Sequence, residues 1–486
     1  MMLAPSYPRD SVLGNRKLCA SETVSFVYGP TMHRAWPVLL TGALLVPATV
    51  SAGNSDEVNA GLDVTLTGGA VVATTYTGAA LWYNPAGIAR INKASLELTG
   101  ITMQVQIVKV PGLLTIQSDP QAESEGKTVN FTVVPQAVTF TLKLRENLKL
   151  GVGLFNSSIS RSFVTEQVRT GPGIVPEARA VAGQNSKVDF FHISAGLAGT
   201  FGNKQKVLVG GAFDIVVATA RVDGTRTVFY DEGEAGFNTL SAVTTDTGFG
   251  LQLKAGIQWV PIPQLRLGFS VASPSFAFVI LNRFADDFSQ SPPAGTTLPP
   301  GDPNAQASGG SESRGAEGGW WGVEPGNFRF GIAYVGDWGW VEADLLIQWR
   351  LRTPDLDLDL QAVVNGRIGS AFRLTKFVNL GIGLFTDRSP VDRLEITPFA
   401  TSDINFYGAH LGFLFSNREV HPGRPDADEG KRGGFAIAIG FRYSFGRGQA
   451  LGVLLPAQYD PTSITRAGVD GKIHEIALNL GANVSF

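Results

Sequence analysis

The end of the chain alternates strictly between apolar and polar or small side chains. One face carries Phe486, Val484, Ala482, Leu480, Leu478 and Ile476, and the other carries Ser485, Asn483, Gly481, Asn479, Ala477 and Glu475. A period of two places successive side chains on opposite faces of a β-strand. A soluble strand averages about five or six residues, whereas a tilted membrane strand needs about ten. A long alternating strand that ends on the aromatic Phe486 is therefore typical of a transmembrane β-barrel terminus.

The same alternation recurs through most of the chain. In the stretch Trp338–Leu351, for example, Val341 and Leu345 face one way, and Glu342 and Asp344 face the other. Long and short connections alternate between such strands, as they do in transmembrane barrels. Fourteen or fifteen candidate strands are present, and an even number is required if both ends of the barrel lie on the same side of the membrane. The pattern predicts an all-β, antiparallel transmembrane barrel.

Composition agrees with this class and excludes others. The mean hydropathy of +0.09 is too low for a bundle of membrane-spanning helices, whereas a barrel hides its apolar content in alternation. The net charge of −3 is small, so no nucleic-acid partner is expected. The single cysteine, Cys19, lies near the N-terminus. Because this part is expected to be removed, we expect no disulfide and no cysteine-ligated metal in the mature protein. We also predict no metal site and no cofactor.

The N-terminal region contains the features of an export signal. Met32-His33-Arg34 precede the only long apolar run, Trp36–Val50, and Val50-Ser51-Ala52 follows it. A basic start, a short apolar run and a small-x-small site form a signal peptide, and the run is too short to span a membrane. We expect residues 32–52 to be removed after Ala52 and residues 1–31 to be an upstream extension. A functional N-terminal arm is the alternative.

The stretch Gly69–Arg90 differs from the strands that follow it. It is rich in Gly, Ala, Val and Thr, and it leads into an Asn-Pro-Ala-Gly turn. Pro85 fixes its own φ and moves Asn84 out of the helical region, and the Asn84 amide can bond neighbouring backbone. Gly87 tolerates positive φ. The sequence predicts a short helical segment that stops at Asn84 and turns sharply; an ordinary turn is the alternative.

This turn lies after a signal peptide and before a long series of strands. That arrangement resembles the FadL-type family of outer-membrane transporters for long-chain fatty acids and other hydrophobic compounds. The matching residues are Tyr83, Asn84, Pro85, Ala86 and Gly87, with Trp82 at a position that is usually aromatic. The resemblance implies a barrel of about fourteen strands, plugged by an N-terminal hatch in which these six residues take part in ligand binding or gating.

The resemblance also implies an opening in the barrel wall. In the family a kink in the third strand makes this gap, and Gly151 and Gly153 on the predicted third strand, Leu148–Ile159, could permit it. Two departures concern these features. Residues 156–158 are Asn-Ser-Ser where the family often has Pro-x-Gly, and residues 74–77 are Thr-Thr-Tyr-Thr where many members carry an acidic pair.

The domain organisation follows from these features. We expect a hatch at residues 53–92 and a barrel at residues 93–486, with a long surface loop at about 286–324, where Pro, Gly, Ser and Asn are frequent. The expected location is the outer membrane of a Gram-negative type cell. The expected partners are outer-membrane lipid, a hydrophobic small molecule and the barrel assembly machinery, which reads Phe486. A monomer is expected.

No enzymatic chemistry stands out. His192 and Ser194 share a strand face, but a lone His–Ser pair lacks the third group that orients nucleophilic catalysis, so we predict a polar lumen pair and no enzyme. Charged side chains on predicted inward faces are interpreted as lumen networks: Glu342, Asp344, Arg350, Arg367, Arg373 and Arg442. One of these arginines could instead hold a fatty-acid carboxylate.

The function predicted from sequence is passive uptake of hydrophobic molecules, such as long-chain fatty acids, through a channel gated by the hatch. A general polar porin or a structural barrel is the alternative. The stretch Gly69–Arg90 discriminates between the two, because an open porin has no need for it.

Overall fold

The structure is a computed structural model. It describes residues 60–116, 119–171, 178–202, 206–230, 236–291, 308–354, 358–391, 394, 402–417, 434–455 and 465–486. The predicted signal peptide and upstream extension lie outside these residues. Within the described part of the chain, no helix is long and apolar enough to cross a membrane.

Among the described residues, three short helical elements come first: α1 (Leu62–Thr67), α2 (Ala80–Tyr83) and a 3-10 helix (Pro85–Arg90). The strands that follow are β1 (Ser95–Lys109), β2 (Leu114–Ile116), β3 (Asp119–Glu123), β4 (Lys127–Arg145), β5 (Leu148–Arg169), β6 (Ala178–Phe201), β7 (Val207–Tyr230), β8 (Gly236–Ile262), β9 (Leu265–Ala272), β10 (Ser275–Ser291), β11 (Ser308–Glu324), β12 (Asn327–Gly336), β13 (Gly339–Gln348), β14 (Leu351–Thr353), β15 (Leu358–Leu360), β16 (Val363–Arg373), β17 (Val378–Asp387), β18 (Ser402–Ser416), β19 (Gly434–Leu455) and β20 (Thr465–Ser485).

The long strands form one closed, antiparallel barrel of 14 strands, which confirms the predicted fold class. Strands β9 and β10 together make one wall strand, interrupted at Ser273-Pro274, and β11 and β12 make the next, interrupted at Pro325-Gly326. Proline donates no ladder hydrogen bond, so such a break is where it is tolerated. The last strand, β20, pairs with β1 from Ser95↔Ser485 to Lys109↔Lys472 and closes the sheet.

The two faces of the wall have opposite polarity. Along β8, Leu251, Leu253 and Ile257 are exposed on the outside, whereas Gln252 and Gln258 are buried on the inside. An apolar outer face and a polar inner face are the reverse of a soluble protein and match a barrel surrounded by lipid. The inner side of the wall is therefore where polar contacts with anything inside the barrel must be made.

Barrel closure ends at the C-terminal residue. The backbone N–H of Phe486 donates to the carbonyl of Ala94 at 2.9 Å, and the Phe486 side chain is exposed on the outside. This places the last residue beside the start of β1, at the end of the barrel where β4 and β5 also join through a tight turn. We call this the short-turn end and the opposite one the long-loop end.

Several strands are longer than the sequence pattern suggests. The third wall strand, β5, runs to Arg169, and pairing of β10 with β11 reaches Ser289↔Ser308, inside the loop predicted at about 286–324. One connection at the short-turn end, residues 417–433 between β18 and β19, is long, which breaks the predicted alternation of loop lengths.

The connection between β1 and β4 lies across the long-loop end. Its strand β2 pairs in parallel with the end of β19 at Val453↔Leu114. The carboxylate of Asp119 accepts a hydrogen bond from the backbone N–H of Gly171, beyond β5, at 2.7 Å. Leu113, Leu114 and Ile116 are almost fully buried. This connection therefore covers part of the barrel mouth.

Candidate functional site

Residues 60–91, here called the inner segment, lie inside the barrel and are buried almost throughout. Helix α1 ends because Gly68 adopts a left-handed φ of 72°, and its N–H donates to the carbonyl of Val64. A compact run of turns follows, then α2 and the 3-10 helix. The inner segment is thus mostly turns and short helices, with less helix than the sequence predicts.

Asn84 joins three parts of the molecule. Its side-chain oxygen accepts from the N–H of Ala86, and its side-chain amide donates to the carbonyl of Val72 at 2.9 Å and of Ile257, on wall strand β8, at 3.1 Å. Pro85 occupies the first position of the 3-10 helix, where a missing N–H costs nothing. The predicted sharp turn at Asn84 is present, and Asn84 links it to the wall.

Gly87 is required for a different reason from the one predicted. Its φ is not among the positive values of this chain. A Cβ at Gly87 would instead lie 2.3 Å from the carbonyl oxygen of Thr75. Small size, rather than conformational freedom, fixes glycine at this position, because the 3-10 helix packs directly on the preceding turn.

Two carboxylates of β13 hold the middle of the inner segment. Asp344 accepts hydrogen bonds from the backbone N–H groups of Val71 at 2.7 Å and Val72 at 3.1 Å. Glu342 accepts from the N–H of Ala73 and the hydroxyl of Thr74, each at 2.5 Å. Acidic wall residues therefore bind the inner segment through its backbone.

A third carboxylate acts on the far side of the barrel. Glu97, on β1, accepts from the N–H of Leu62 at 2.7 Å and of Gly78 at 3.1 Å. The ring Nε2 of His410 on β18 lies 2.7 Å from the carbonyl of Thr65. Because β1, β13 and β18 are well separated around the wall, the inner segment is fixed from several directions.

Glycines on the inner face of the wall make room for the inner segment. A Cβ at Gly381 would lie 2.0 Å from the carbonyl oxygen of Leu66, and a Cβ at Gly210 would lie 2.4 Å from that of Pro85. The positions of this kind, here called the glycine belt, are Gly151, Gly196, Gly210, Gly256, Gly268, Gly331, Gly369, Gly381, Gly383, Gly412, Gly440 and Gly481. The belt lets backbone approach backbone, so the inner segment fills the barrel without a side-chain layer between them.

The wall has a gap between its second and third strands. Strands β4 and β5 pair only from Arg145↔Leu148 to Ala137↔Phe155. Beyond this point β4 continues to pair with β1, and β5 continues to pair with β6. Pro135, which has no N–H to donate, lies where the β4–β5 pairing stops. Beyond the paired part of the ladder, the Asn156 amide of β5 donates a hydrogen bond to the Pro135 carbonyl of β4 at 3.5 Å.

The two glycines predicted to kink this wall strand lie within the paired part of the ladder, and the kink itself stays a prediction. Gly151 pairs with Thr141, and Gly153 pairs with Thr139, in uninterrupted register. Gly151 belongs to the glycine belt, since a Cβ there would lie 3.1 Å from Ile88. The part of β5 that does not pair with β4 begins at Asn156, three residues beyond Gly153.

Trp82 lies between this gap and a buried group of charged residues. Its ring is 5.5 Å from that of Phe155, the last paired residue of β5, and 4.9 Å, edge-on, from that of His192. The Lys254 ammonium lies 4.2 Å from the Trp82 ring centre, within the range of a cation–π contact. The side chain of Trp82 therefore connects the wall gap to the interior.

The charged group beside Trp82 is internally paired. Asp214 contacts the Lys254 ammonium at 2.5 Å and the Nδ1 of His192 at 3.1 Å. Glu324 lies 3.3 Å from the Nε2 of His192 and accepts a hydrogen bond from Ser275. His192 is thus held between two carboxylates, as a member of a lumen network rather than of a His–Ser pair.

The other predicted lumen charges differ in their placement. Arg442 is buried, and Arg367 donates to the carbonyl of Gly69 in the inner segment at 3.5 Å. Arg350 lies beyond the end of β13, exposed, and forms an ion pair with Asp359 at 2.9 Å. Arg373 ends β16 at the short-turn end and is only half-buried. Arg350 therefore lies beyond the wall strand that carries Glu342 and Asp344, because β13 stops at Gln348.

Within the described ranges, no group of His, Cys, Asp or Glu is arranged to hold a metal ion.

The comparisons with known proteins concern the fold. No family model matches the sequence, and no curated protein matches it. A FadL homologue from Pseudomonas aeruginosa has a TM-score of 0.53 and 12% identity, covering 90% of this chain and 98% of that chain. The P. putida toluene transporter TodX has a TM-score of 0.50 and 14% identity, covering 89% of this chain and 99% of that chain.

The CymD monoaromatic hydrocarbon channel gives the same result, with a TM-score of 0.50, 12% identity, and coverage of 89% of this chain and 98% of that chain. At such low identity these likenesses establish the fold alone. The neighbours are transporters or channels rather than enzymes.

Proposed function

We propose that this chain is a FadL-type channel of the outer membrane that takes up hydrophobic molecules passively and is gated by the inner segment acting as a hatch. Long-chain fatty acids and monoaromatic hydrocarbons both belong to this substrate class. The observation that carries the proposal is the inner segment itself, which three wall carboxylates and the glycine belt hold across the lumen. The fold of the solved channels agrees with it.

The wall gap supports a lateral route. Hydrophobic molecules that leave through the space between β4 and β5 would enter the apolar lipid phase directly, without crossing water. Phe155 and Trp82 line the way from the interior to this gap with aromatic surface. Trp82 contacts Phe155 where the gap begins, so a molecule that leaves through the gap would pass the hatch there.

A general porin is the second candidate. A porin lumen is a water-filled channel, whereas here the inner segment packs against the wall at backbone distance around the glycine belt. This arrangement favours a gated channel over an open pore.

The test compares two kinds of flux through the folded protein. Uptake of a labelled hydrophobic molecule is measured in cells that lack other such transporters, alongside the swelling of proteoliposomes in small sugars. We expect uptake without sugar flux in the parent protein. We expect reduced uptake in Pro85→Ala with the barrel still folded, because Pro85 restricts the chain at the turn. Sugar flux through the parent, unaffected by Pro85→Ala, would favour the porin.

A further inference from the structure

The charged group beside Trp82 is closed to water. The side chains of His192 and Asp214 are fully buried, and those of Lys254 and Glu324 are 5% and 10% exposed. Asp214 pairs with Lys254, and His192 lies between Asp214 and Glu324. The neighbouring Arg329 donates to the carbonyl of Trp82 at 3.4 Å. The group thus places Lys254 next to the hatch with a carboxylate already paired to it.

The remaining buried cations that the structure describes are also engaged. Lys149 donates to the carbonyls of Arg145 and Glu146. Arg442 lies 4.3 Å from the ring centre of Phe385. Arg90 and Arg266 each take part in a contact as well. An anionic ligand entering this part of the lumen would have to displace an existing partner of a buried cation.

We propose that Asp214 and Glu324 are specificity-determining residues that make this channel reject hydrophobic carboxylates and accept uncharged hydrophobic molecules. The inference rests on the proposed function, because it concerns cargo that passes Trp82. Asp214 occupies the position at Lys254 that a carboxylate ligand would otherwise take. Removing one member of a buried ion pair leaves the other charge unpaired, which is strongly unfavourable, and a second anion at this site meets like charge.

The apolar body and the head group of a long-chain ligand would make different contacts at this site. An alkyl or aryl body can pack against Phe155 and Trp82 whatever its head group. A hydroxyl head group can accept or donate a hydrogen bond in the network without changing its charge. A carboxylate head group cannot bind there without adding a negative charge to the network. Two ligands with the same chain and different head groups therefore isolate the effect of Asp214 and Glu324.

The experiment is a competition between hexadecan-1-ol and hexadecanoate for the full-length, purified, folded protein in nonionic detergent at neutral pH. Both are added at equal concentration, unbound ligand is removed, and each bound species is quantified by mass spectrometry. We expect the parent protein to retain the alcohol over the acid by about tenfold or more. Asp214→Asn leaves Lys254 without its carboxylate partner, and we therefore expect the ratio of bound alcohol to bound acid to fall about tenfold.

Controls make every outcome decisive. Glu475→Gln removes a buried carboxylate on β20 that accepts a hydrogen bond from Ser444. Because Glu475 lies away from the charged group beside Trp82, this variant should leave the ratio of bound alcohol to bound acid unchanged. Asp214→Asn combined with Lys254→Met should return the ratio to that of the parent. Heat-modifiable gel migration reports folding, and Glu324→Gln is a second variant with the same expected direction.

Equal retention of both ligands by the parent overturns the proposal, as does an unchanged ratio in a folded Asp214→Asn protein. If neither variant folds, the ratio of bound alcohol to bound acid in the parent protein decides whether the proposal holds. Retention of neither ligand contradicts the proposed function itself, whereas equal retention of both contradicts only the selectivity.

Discussion

The side-chain amide of Asn84 donates a hydrogen bond to the backbone carbonyl of Ile257 at 3.1 Å, and so joins the turn of the inner segment to wall strand β8. The same amide donates to Val72 within the inner segment. Wall strand β8 approaches this turn closely at Gly256, where a Cβ would lie 2.0 Å from the Asn84 side-chain oxygen. The turn therefore cannot shift without breaking contacts of Asn84.

Asn84→Ala is expected to loosen the turn and leave the barrel folded. It leaves the carbonyls of Val72 and Ile257 and the N–H of Ala86 without this partner, at a cost of about 1–3 kcal/mol for each buried group that stays unpaired. Hydrogen exchange of residues 84–91 should accelerate. Asn130→Ala, which removes a partly buried amide from β4, is the matched control. Unchanged exchange in residues 84–91 would contradict the role of Asn84.

Asp344→Asn and Glu342→Gln are expected to weaken the central attachment of the inner segment. Each substitution replaces one oxygen of the carboxyl group with an NH₂ group, which cannot accept, so fewer acceptor atoms face the backbone N–H groups of residues 71–73. Hydrogen exchange at residues 71–74 should rise in both variants, most in the double variant. Glu146→Gln, which changes an exposed carboxylate in the β4–β5 turn, serves as the control.

Gly381→Ala is expected to displace the inner segment. The new methyl group would meet the Leu66 carbonyl at 2.0 Å, and overpacking of this kind costs about 1–3 kcal/mol. Gly366→Ala on β16 is the matched control, because nothing lies within 4 Å of its Cβ position. Limited proteolysis should cut within residues 60–91 of Gly381→Ala and leave Gly366→Ala resistant. Equal resistance of the two proteins would argue against the glycine belt.

Cross-linking the wall gap is expected to stop lateral release. Cysteines at Gln136 and Asn156, which lie where the β4–β5 ladder ends, would be joined by a short bifunctional thiol reagent. Uptake of a hydrophobic probe should fall. Cysteines at Val138 and Leu154, which already pair in the ladder, give the control, and the same reagent should leave uptake unchanged there. Equal uptake by both cross-linked proteins would mean that cargo leaves by another route.

The barrel was predictable from sequence because alternation is a local property of each strand. The inward direction of Glu342 and Asp344 follows from the same pattern, but their partners do not. The contact from Asp344 to Val71 spans 273 positions, and only the closed fold brings them together. Glu97 was missed, although an acidic residue on the polar face of the first strand was the signal that could have identified it.

The wall gap could not be located from the sequence, for a different reason. A gap exists only between two strands, so it depends on pairing register, which sequence patterns on one strand do not contain. The proline of β4, Pro135, was the informative residue, since it lies where pairing with β5 stops. Of the two glycines of β5, Gly151 makes room for the Ile88 and Leu81 side chains of the inner segment.

The central claim, that movement of the inner segment gates uptake, can be tested by locking that segment to the wall. The Cβ of Ala70 lies 2.9 Å from the position a Cβ would take on Gly369 of β16, so cysteines at both positions are within reach of a disulfide after a small shift. Apart from the two introduced cysteines, the chain contains a single cysteine, Cys19. Single-cysteine variants control for the substitutions.

Uptake of an uncharged hydrophobic probe is measured in the Ala70→Cys, Gly369→Cys protein before and after reduction. A gate predicts that uptake is lost while the disulfide is present and returns when it is reduced, with both single-cysteine variants insensitive to the reductant. Equal uptake in the oxidised and reduced protein would contradict gating by the inner segment.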